Sequence, residues 1–367
     1  MHAPSVGEGL QARPVLELMR RHRPDAQLAY THFSPSALAF ARALDVDFRD
    51  YLPFDTSGDA RVALDALRPT ALVFSKLDVW PVLASQAARR GVRLGLVSAT
   101  LASNSSRRSR LAGALLRDAY ARLDVVGAID ASDADRLVAL GVRPDAVRVT
   151  GDTRYDQVWH RAETVDRSGP LLAALASSRP TLVAGSTWPA DELHLLRAWS
   201  ELRRHLPDAR LVIAPHEPTR GHLQPIERWA ADEGLRAAPL GAPHAADSDV
   251  VIVDRTGVLG ELYALAQVAY VGGGFHDAGL HSVLEPAAFG APVVFGPRHA
   301  NSRDAGLLAT AGGGATVGDA AALAVVLRRW LAQPTEADAA GARARALVRA
   351  GLGAARRSFE LVEALLG

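Results

Sequence analysis

Short apolar runs alternate with longer amphipathic segments along the whole chain, and this alternation constrains the fold most. Segments with helical periodicity, such as residues 36–44 and 82–90, separate the runs. Strand, helix and strand at this spacing indicate βαβ units, whose parallel strands are buried on both faces. We therefore predict an α/β protein with parallel sheets. The predicted strands are residues 28–30, 71–74, 94–97, 125–129, 181–184, 211–214, 250–253, 268–271 and 293–295.

Length and one weakly periodic segment predict two domains. A chain of 367 residues is long for a single domain. The polar stretch 155–180 separates the two series of strands, and we place the boundary so that the domains are residues 1–165 and 166–367. The tail, residues 340–366, is rich in Ala, Arg and Leu and is predicted to be helical; the pattern leaves open whether it packs back on the first domain. Ligands of such sheets bind at the carboxyl ends of the strands, where the motifs should converge.

Composition excludes several classes of protein. The chain has no cysteine, which excludes disulfides and thiolate chemistry. Its net charge of +1 gives no reason to expect a nucleic-acid partner. The basic clusters 20–23 and 107–110 fit either solvated surfaces or contacts with an anionic lipid or phosphate. No apolar run reaches the roughly 18 residues that span a bilayer. Because Met1 stands directly before a motif-like segment, we expect that a segment N-terminal to it has been removed.

Motifs of several common enzyme classes are missing from the sequence. It contains no HExxH or similar ligand spacing, no Walker A motif, no early GxGxxG and no GxSxG elbow. An ATPase, an ordinary dehydrogenase and a serine hydrolase are therefore disfavoured. No metal and no cofactor are expected.

Residues 271–290 form the segment most suggestive of a ligand. Three glycines follow a predicted strand, and His276, His281 and Glu285 come after them. Glycines at a strand–helix turn let backbone N–H groups approach a ligand, and a helix N-terminus favours negative charge. The spacing of Ser282 and Glu285 also matches a capping box, so Glu285 serves either as a cap or as an acceptor for ribose hydroxyls.

Two further segments place charged groups near strand ends in the first half. Gly7 and Gly9 bracket Glu8, so an unusual turn could present this carboxylate as a general base; the alternative is a glutamate that favours the helix dipole. Lys76 and Asp78 follow a buried strand and would point the same way if the strand continued. They fit either a catalytic arrangement or a local ion pair.

Two segments of the second half carry groups suited to phosphate. Gly185, Ser186 and Thr187 lie between a strand and a helix start, where they could donate hydrogen bonds to a phosphate or simply cap the helix. His216 and Arg220 follow the next strand, and both side chains suit an anionic ligand.

Taken in this order, the segments resemble the family of Kdo (3-deoxy-D-manno-octulosonic acid) transferases of lipopolysaccharide biosynthesis. The resemblance runs from His2 to about Ala305, and the ordered set is far more specific than any single motif. The matching motifs are residues 2–8, 34–35, 51–55, 78–81, 151–156, 184–187, 214–215 and 281–286. The resemblance implies an inverting glycosyltransferase of the GT-B fold, with two doubly wound Rossmann-like domains whose parallel sheets face a central cleft.

Roles for individual residues also follow from the resemblance. It implies that Glu8 is the catalytic base and that Asp78 supports it. The implied donor-binding residues are Gly185, Ser186, Thr187, His216, Arg220, Gly273, Gly274, His281, Ser282, Glu285 and Asn301. The implied acceptor-binding residues are Ser5, Gly7, Lys76, Arg107 and Arg108. Departures from the common family pattern, at Lys76, His216 and Ser282, bear on the phosphate contacts more than on the reaction.

The resemblance implies that the first domain receives a lipid A precursor (lipid IVA) and that the second holds CMP-Kdo. Glu8 would take the proton of the acceptor hydroxyl, and helix N-termini with nearby basic groups would stabilise the departing CMP without a metal. The family acts at the cytoplasmic face of the inner membrane, so we expect a protein bound peripherally there or held by an N-terminal anchor missing from this chain. The alternatives are another sugar-nucleotide enzyme on the same fold, such as a UDP-sugar transferase or a 2-epimerase, and a non-catalytic nucleotide or anionic-lipid binding protein.

Overall fold

The structure, a computed structural model, describes residues 1–52, 54–102, 105, 107 and 110–366, with the backbone alone for 110–115. The chain divides into two compact units. The first unit comprises Met1–Gln157 and Gly351–Gly367, and the second comprises Val158–Ala350. The division therefore falls after Gln157 rather than after residue 165, and the end of the chain returns to the first unit.

Thirteen strands and sixteen helices make up the described part of the chain. In chain order the strands are β1 (Ala29–His32), β2 (Phe48–Tyr51), β3 (Ala71–Ser75), β4 (Arg93–Ala99), β5 (Val125–Ala128), β6 (Val147–Val149), β7 (Thr181–Thr187), β8 (Arg210–Pro215), β9 (Ala237–Pro239), β10 (Val250–Ile252), β11 (Val268–Val271), β12 (Val293–Phe295) and β13 (Gly314–Thr316). The helices are α1 (Val6–His22), α2 (Leu38–Arg42), α3 (Ser57–Leu67), α4 (Pro81–Arg89), α5 (Arg110–Ala121), α6 (Ala131–Leu140), α7 (Thr153–Thr164), α8 (Pro170–Ala173), α9 (Pro189–His205), α10 (Arg220–Asp232), α11 (Leu259–Leu262), α12 (Leu284–Ala288), α13 (Arg303–Ala311), α14 (Ala320–Ala332), α15 (Pro334–Ala350) and α16 (Ala354–Glu363).

In the sheet of the first unit, the first residues of the chain supply an interior strand. Strands β2 and β1 pair in parallel, and so do β3, β4, β5 and β6 in that order. His2 bridges the two groups, because it pairs in parallel with Thr31 of β1 and with Phe74 of β3. The order is thus β2-β1-(1–3)-β3-β4-β5-β6. The succession of strands reverses beside residues 1–3, which makes this the topological switch point where α/β sheets bind ligands.

The sheet of the second unit has seven parallel strands in the order β13-β12-β11-β7-β8-β10-β9. The chain enters at β7, extends to β8, β9 and β10 on one side, and then crosses to β11, β12 and β13 on the other. Its switch point therefore lies between β7 and β11. The prediction of a doubly wound parallel α/β fold is confirmed for both units.

Strand β7 explains why the strands read as continuous apolar runs. Leu182 and Ala184 face one side of the sheet and pack in a cluster that contains the buried Trp199. Val183 faces the other side and packs with Leu262. Successive side chains of a strand point to opposite faces, so a strand covered by helices on both sides needs apolar residues at every position.

The predicted helical tail is two helices, α15 and α16, interrupted around Gly353, which has a left-handed backbone (φ 88°). Helix α16 packs on α1 in the first unit. Asp156 fixes its start by accepting hydrogen bonds from the N–H groups of Gly353 (2.8 Å) and Ala355 (2.9 Å). The motif at residues 151–156 therefore anchors the tail. Within the described ranges, none of the helices combines the length and the apolar character needed to cross a membrane.

Candidate active site

Glu8 lies in the first turn of α1, shortly after residues 1–3, which lie between β1 and β3 in the first sheet. Ser5 is the N-cap residue, and its hydroxyl donates to the Glu8 carboxylate. The predicted unusual turn around Glu8 is wrong, because residues 6–9 are ordinary helix. Gly7 leaves room for a side chain, whereas a Cβ at Gly9 would collide with Phe40. Glu8 therefore owes its position to the helix start at the switch point.

Lys76 pairs with Glu8. Its Nζ lies 3.3 Å from Glu8 Oε1, and the side chains of Lys76 and Glu8 are 40% and 12% exposed. Burial alone would raise the pKa of the Glu8 carboxyl, but the hydrogen bond from Ser5 and the positive charge of Lys76 outweigh burial. The pKa is held below its usual value, so the carboxylate is ionised at neutral pH and can accept a proton.

One further property of Lys76 in the sequence sets it apart from the other basic residues. It is the only lysine in the chain, against 41 lysines and arginines together. A lysine presents a compact charge that approaches a carboxylate from many directions, whereas arginine needs a planar fork. Lys76 also has a left-handed backbone, with φ 66°. Such a conformation is strained outside glycine, and strain of this kind is often found at functional sites.

Asp78 is paired with Arg107. Arg107 Nη2 donates to Asp78 Oδ1 at 2.6 Å, and the same guanidinium donates to the carbonyl of Leu77. Lys76 and Asp78 were expected to point the same way, but β3 ends at Ser75 and the turn at Lys76 separates them. The group beside Glu8 is thus Lys76, and Asp78 positions Arg107. Arg108, the other predicted acceptor residue of this loop, lies outside the described residues.

Other motif residues of the first unit have structural roles. His2 is fully buried, contacts Thr31 Oγ1 at 3.0 Å through Nδ1, and packs edge-on against Trp80. Burial lowers the pKa of His2 to about 3, so the ring is neutral. Asp55 accepts hydrogen bonds from the N–H groups of Val82 (3.0 Å) and Leu83 (2.8 Å) and so caps α4. These residues support the carboxyl edge of the sheet.

The predicted donor residues gather at the switch point of the second sheet. Gly185, Ser186 and Thr187 end β7, and Ser186 has a left-handed backbone with φ 52°. A Cβ at Gly185 would collide with the hydroxyl of Tyr263. Thr187 Oγ1 donates to Glu192 in α9 at 2.8 Å. Of the three residues, Ser186 is the one whose hydroxyl makes no hydrogen bond within the described residues.

The three glycines after β11 give room to the chain itself. A Cβ at Gly272 would collide with the carbonyl of Ser186, one at Gly273 with the carbonyl of Gly279, and one at Gly274 with the backbone of Gly296. Backbone clearance for a ligand was the expected role of these glycines. The collisions show that the glycines allow neighbouring loops to pack closely, so Gly273 and Gly274 determine the shape of this loop, and clearance for a ligand stays a prediction.

The carboxylate of Asp191 binds the glycine loop, residues 272–279, which follows β11. Asp191 was not among the predicted site residues. Its carboxylate is fully buried and accepts hydrogen bonds from the N–H groups of Gly273 (2.7 Å), Phe275 (3.1 Å) and Trp188 (3.0 Å), and from the Tyr270 hydroxyl (3.1 Å). The sequence shows Asp191 and Glu192 only as acids in a first helical turn. The N–H of Gly273 is therefore engaged by Asp191 rather than free for a phosphate.

His281 lies beside Trp188 and two other imidazoles. Trp188 Nε1 donates to His281 Nε2 at 3.1 Å, and the rings of His216 and His281 are 4.4 Å apart. Burial and the nearby charge of His216 lower the pKa of His281 to about 4. His281 is therefore neutral at physiological pH. Arg220 begins α10 with an exposed side chain and, within the described ranges, no ion-pair partner.

Glu285 and Asn301 complete the predicted set. The capping-box interpretation is wrong, because α12 begins at Leu284 with Val283 at the N-cap, and Ser282 is exposed. Burial raises the pKa of Glu285, against the opposing charge of Arg161, whose Nη1 lies 3.8 Å away. Asn301 binds the backbone of Leu280 with both ends of its amide, at 3.1 Å each, and thereby braces the loop before His281.

No group of three or more His, Asp or Glu side chains in the described part of the chain is arranged to hold a metal ion. The arrangement is instead one ionised carboxylate beside a lysine in the first unit. In the second unit it is the neutral imidazole of His281 and the exposed guanidinium of Arg220, which has no ion-pair partner within the described residues. A carboxylate can remove a proton, and the second set can bind an anionic ligand.

Comparison with known proteins identifies the family. Residues 1–157 match the family model described as 3-deoxy-D-manno-octulosonic-acid transferase (kdotransferase). The 3-deoxy-D-manno-octulosonic acid transferase of Bordetella pertussis is 32% identical, covering 100% of this chain and 87% of that protein. The enzyme of the same name from Haemophilus influenzae is 25% identical over 81% of this chain and 70% of that protein.

Solved structures support the architecture. The UDP-GlcNAc 2-epimerase of Neisseria meningitidis, bound to UDP-GlcNAc, superposes with a TM-score of 0.70 over 99% of this chain and 98% of that one, at 13% identity. At this identity the likeness shows the fold alone, which is the two-domain GT-B architecture. The chain therefore belongs to the 3-deoxy-D-manno-octulosonic acid (Kdo) transferase family and is a glycosyltransferase that transfers Kdo in lipopolysaccharide biosynthesis.

Proposed function

We propose that the enzyme transfers Kdo from CMP-Kdo to a phosphorylated lipid A precursor, lipid IVA, with inversion, and that Glu8 is the general base. The observation that carries this proposal is the Glu8–Lys76 pair at the switch point of the first sheet. The carboxylate is partly buried and kept ionised, which suits a group that must take a proton at neutral pH.

In the proposed reaction the acceptor hydroxyl attacks the anomeric carbon of Kdo. A C–O bond to the acceptor forms, the bond from the anomeric carbon to the CMP phosphate breaks, and CMP leaves with the electron pair. Glu8 receives the proton of the hydroxyl. Attack from the face opposite the leaving group accounts for inversion.

Lys76 has two proposed roles on the acceptor side. It keeps Glu8 ionised, and its side chain, 40% exposed, leaves part of the ammonium free to meet an acceptor phosphate. Ser5 orients the Glu8 carboxylate, and Arg107 is held by Asp78 near the end of β3. These contacts support the first unit as the acceptor side.

The second unit is the proposed donor side. The departing CMP phosphate needs hydrogen-bond donors and positive charge. Ser186, Arg220 and His281 are suited to supply them. The hydroxyl of Ser186 makes no hydrogen bond within the described residues, and the guanidinium of Arg220 is exposed. The imidazole of His281 is neutral. Glu285, at the start of α12, is the proposed partner of the ribose hydroxyls. The remaining donor residues, including Asn301 and Gly273, act by shaping the loop.

The acceptor is an amphiphile, so the enzyme must meet it at a membrane. We propose that it works at the cytoplasmic face of the inner membrane, where the acceptor's phosphates and the basic clusters of the first unit attract each other.

The test is to incubate the enzyme with tetra-acylated lipid A precursor and either CMP-Kdo or UDP-sugars, and to weigh the lipid products by mass spectrometry. We expect lipid bearing Kdo, and release of CMP only when the acceptor is present. Release of UDP from a UDP-sugar without any release of CMP from CMP-Kdo would overturn the proposal.

A further inference from the structure

The side chain of Trp188 contacts three imidazoles of the proposed donor side, those of His216, His276 and His281. Its indole is stacked on His276, with ring centroids 4.2 Å apart and planes inclined by 3°, and on His216 at 4.6 Å and 29°. Its backbone N–H is held by Asp191. The indole plane is thus fixed by His216 directly after β8, by Asp191 of α9 and by His276 of the glycine loop.

The hydrogen bond from Trp188 determines where His281 carries its proton. An indole N–H can only donate, so Nε2 of His281, 3.1 Å from Trp188 Nε1, must be the unprotonated acceptor. A neutral imidazole has one N–H, which is then at Nδ1. Within the described residues Nδ1 of His281 has no hydrogen-bond partner, so this N–H is available to a ligand.

The groups that face His281 favour the neutral ring. His216 and His276 lie nearby and would repel a positive charge, while Asp191 would attract one. Burial outweighs the effect of Asp191, and the pKa of His281 is lowered to about 4. Protonation would also break the bond from Trp188, because Nε2 would lose its lone pair.

We propose that Trp188 is a positioning residue that fixes His281 as a neutral donor, with its Nδ1–H directed at the phosphate of the sugar-nucleotide donor. This inference rests on the proposed role of His281 as a donor contact. In this proposal Trp188 acts through the tautomer of His281 rather than through a contact of its own with the substrate.

The direct test is NMR of the full-length protein labelled with ¹⁵N-histidine, with His281 assigned by comparison with His281→Gln. In the wild type we expect Nε2 of His281 to resonate as an unprotonated nitrogen and Nδ1 as an N–H. Trp188→Phe keeps a stacked ring but removes the N–H; the Nε2–H form should appear and the ring should titrate at higher pH. A wild-type ring protonated at Nε2 would overturn the proposal even if Trp188→Phe did not fold.

Trp229→Phe is the matched control. It also removes an indole hydrogen bond in the second unit, from Trp229 Nε1 to Ser200 Oγ at 3.1 Å, but away from the imidazoles. The control should leave the tautomer and titration of His281 unchanged. Identical His281 spectra in the wild type and Trp188→Phe would also contradict the proposal.

Kinetics gives a readout that a purely structural role would not move. Trp188→Phe should raise KM for CMP-Kdo by about tenfold at neutral pH, the effect of losing one hydrogen bond to a charged group, with kcat little changed. The KM should recover as the pH falls and His281 becomes protonated. A KM increase independent of pH would contradict the inference. Absence of any Kdo transfer by the wild type would instead overturn the proposed function, and the NMR result would still decide the tautomer.

Discussion

The two units place their motif residues at equivalent points of their sheets but engage them differently. At the switch point of the first sheet, Glu8 and Lys76 form one ion pair whose groups remain partly exposed. At the switch point of the second sheet, Asp191 binds the glycine loop and Asn301 binds Leu280, so both of these polar side chains are engaged by the chain itself. The switch point of the first sheet thus carries a partly exposed ion pair, and that of the second carries a loop held by hydrogen bonds. Substitutions should therefore impair chemistry in the first unit, and binding and stability in the second.

The largest expected effect is that of Glu8→Gln. Removing the proposed base should lower the rate of Kdo transfer by about 10²–10⁴-fold, the usual contribution of positioned proton transfer. The rate can be measured under single-turnover conditions, with the enzyme and CMP-Kdo both in excess over the acceptor lipid. Glu17→Gln, an exposed position of the same helix, is the matched control and should retain the wild-type rate. A near-normal rate of turnover by folded Glu8→Gln would contradict the assignment of Glu8 as the general base.

Asp191→Asn should destabilise the second unit. An amide offers one acceptor oxygen where the carboxylate has two, so buried N–H groups of the glycine loop lose their partner, at a cost of about 2–4 kcal/mol. Urea unfolding followed by tryptophan fluorescence suits this measurement, because five of the six tryptophans (Trp159, Trp188, Trp199, Trp229 and Trp330) lie in that unit. Glu192→Gln, one residue further, should cost less because Glu192, within the described residues, accepts a side-chain hydrogen bond from Thr187 Oγ1 alone. Equal stability of Asp191→Asn and the wild type would show that the loop does not depend on this carboxylate.

Lys76→Met should move the acid limb of the pH profile. The positive charge of Lys76 lowers the pKa of Glu8, so its removal should raise that pKa. The proposed base is active only when it is ionised. As the solution is acidified, kcat/KM of the variant should therefore begin to fall at a higher pH than that of the wild type. Lys76→Arg keeps the positive charge, so the pH at which its kcat/KM begins to fall should be close to that of the wild type. An unchanged limb in Lys76→Met would mean that Lys76 does not tune Glu8.

The smallest expected effect is that of Asn301→Ala. Losing two hydrogen bonds to the backbone of Leu280 should loosen the loop before His281 and raise KM for CMP-Kdo by about 2–10-fold, with kcat nearly unchanged. Steady-state kinetics would measure both. A fall in kcat at constant KM would contradict the role of Asn301 as a brace of the donor loop.

Apart from residues 1–3, the interior strands of both sheets could be predicted from sequence, and the edge strands could not. The runs predicted as strands at 268–271 and 293–295 coincide with β11 and β12, because both faces of these strands are buried. The strands that were missed, β2, β6, β9 and β13, are the edge strands of the two sheets. All four residues of β2 are exposed, so it has no apolar run. Residues 1–3 are too few to show a pattern at all.

Positions of site residues were easier to predict than their contacts. Glu8, Lys76, Ser186 and His281 all lie near the ends of strands beside a switch point, as the motif pattern indicated. The Lys76–Glu8 pair depends on a left-handed backbone at Lys76, which no local pattern predicts. Side-chain pairing depends on backbone direction at single residues, and periodicity carries no such information.

The central claim is that the first unit performs proton transfer while the second binds the nucleotide. Calorimetric titration of CMP into the wild type, Glu8→Gln and Arg220→Ala tests it most directly. The account predicts that Glu8→Gln binds CMP within about twofold of the wild type, while Arg220→Ala loses about tenfold in affinity. The assignment of the two roles would be contradicted if Glu8→Gln bound CMP about tenfold or more weakly than the wild type while Arg220→Ala kept the wild-type affinity.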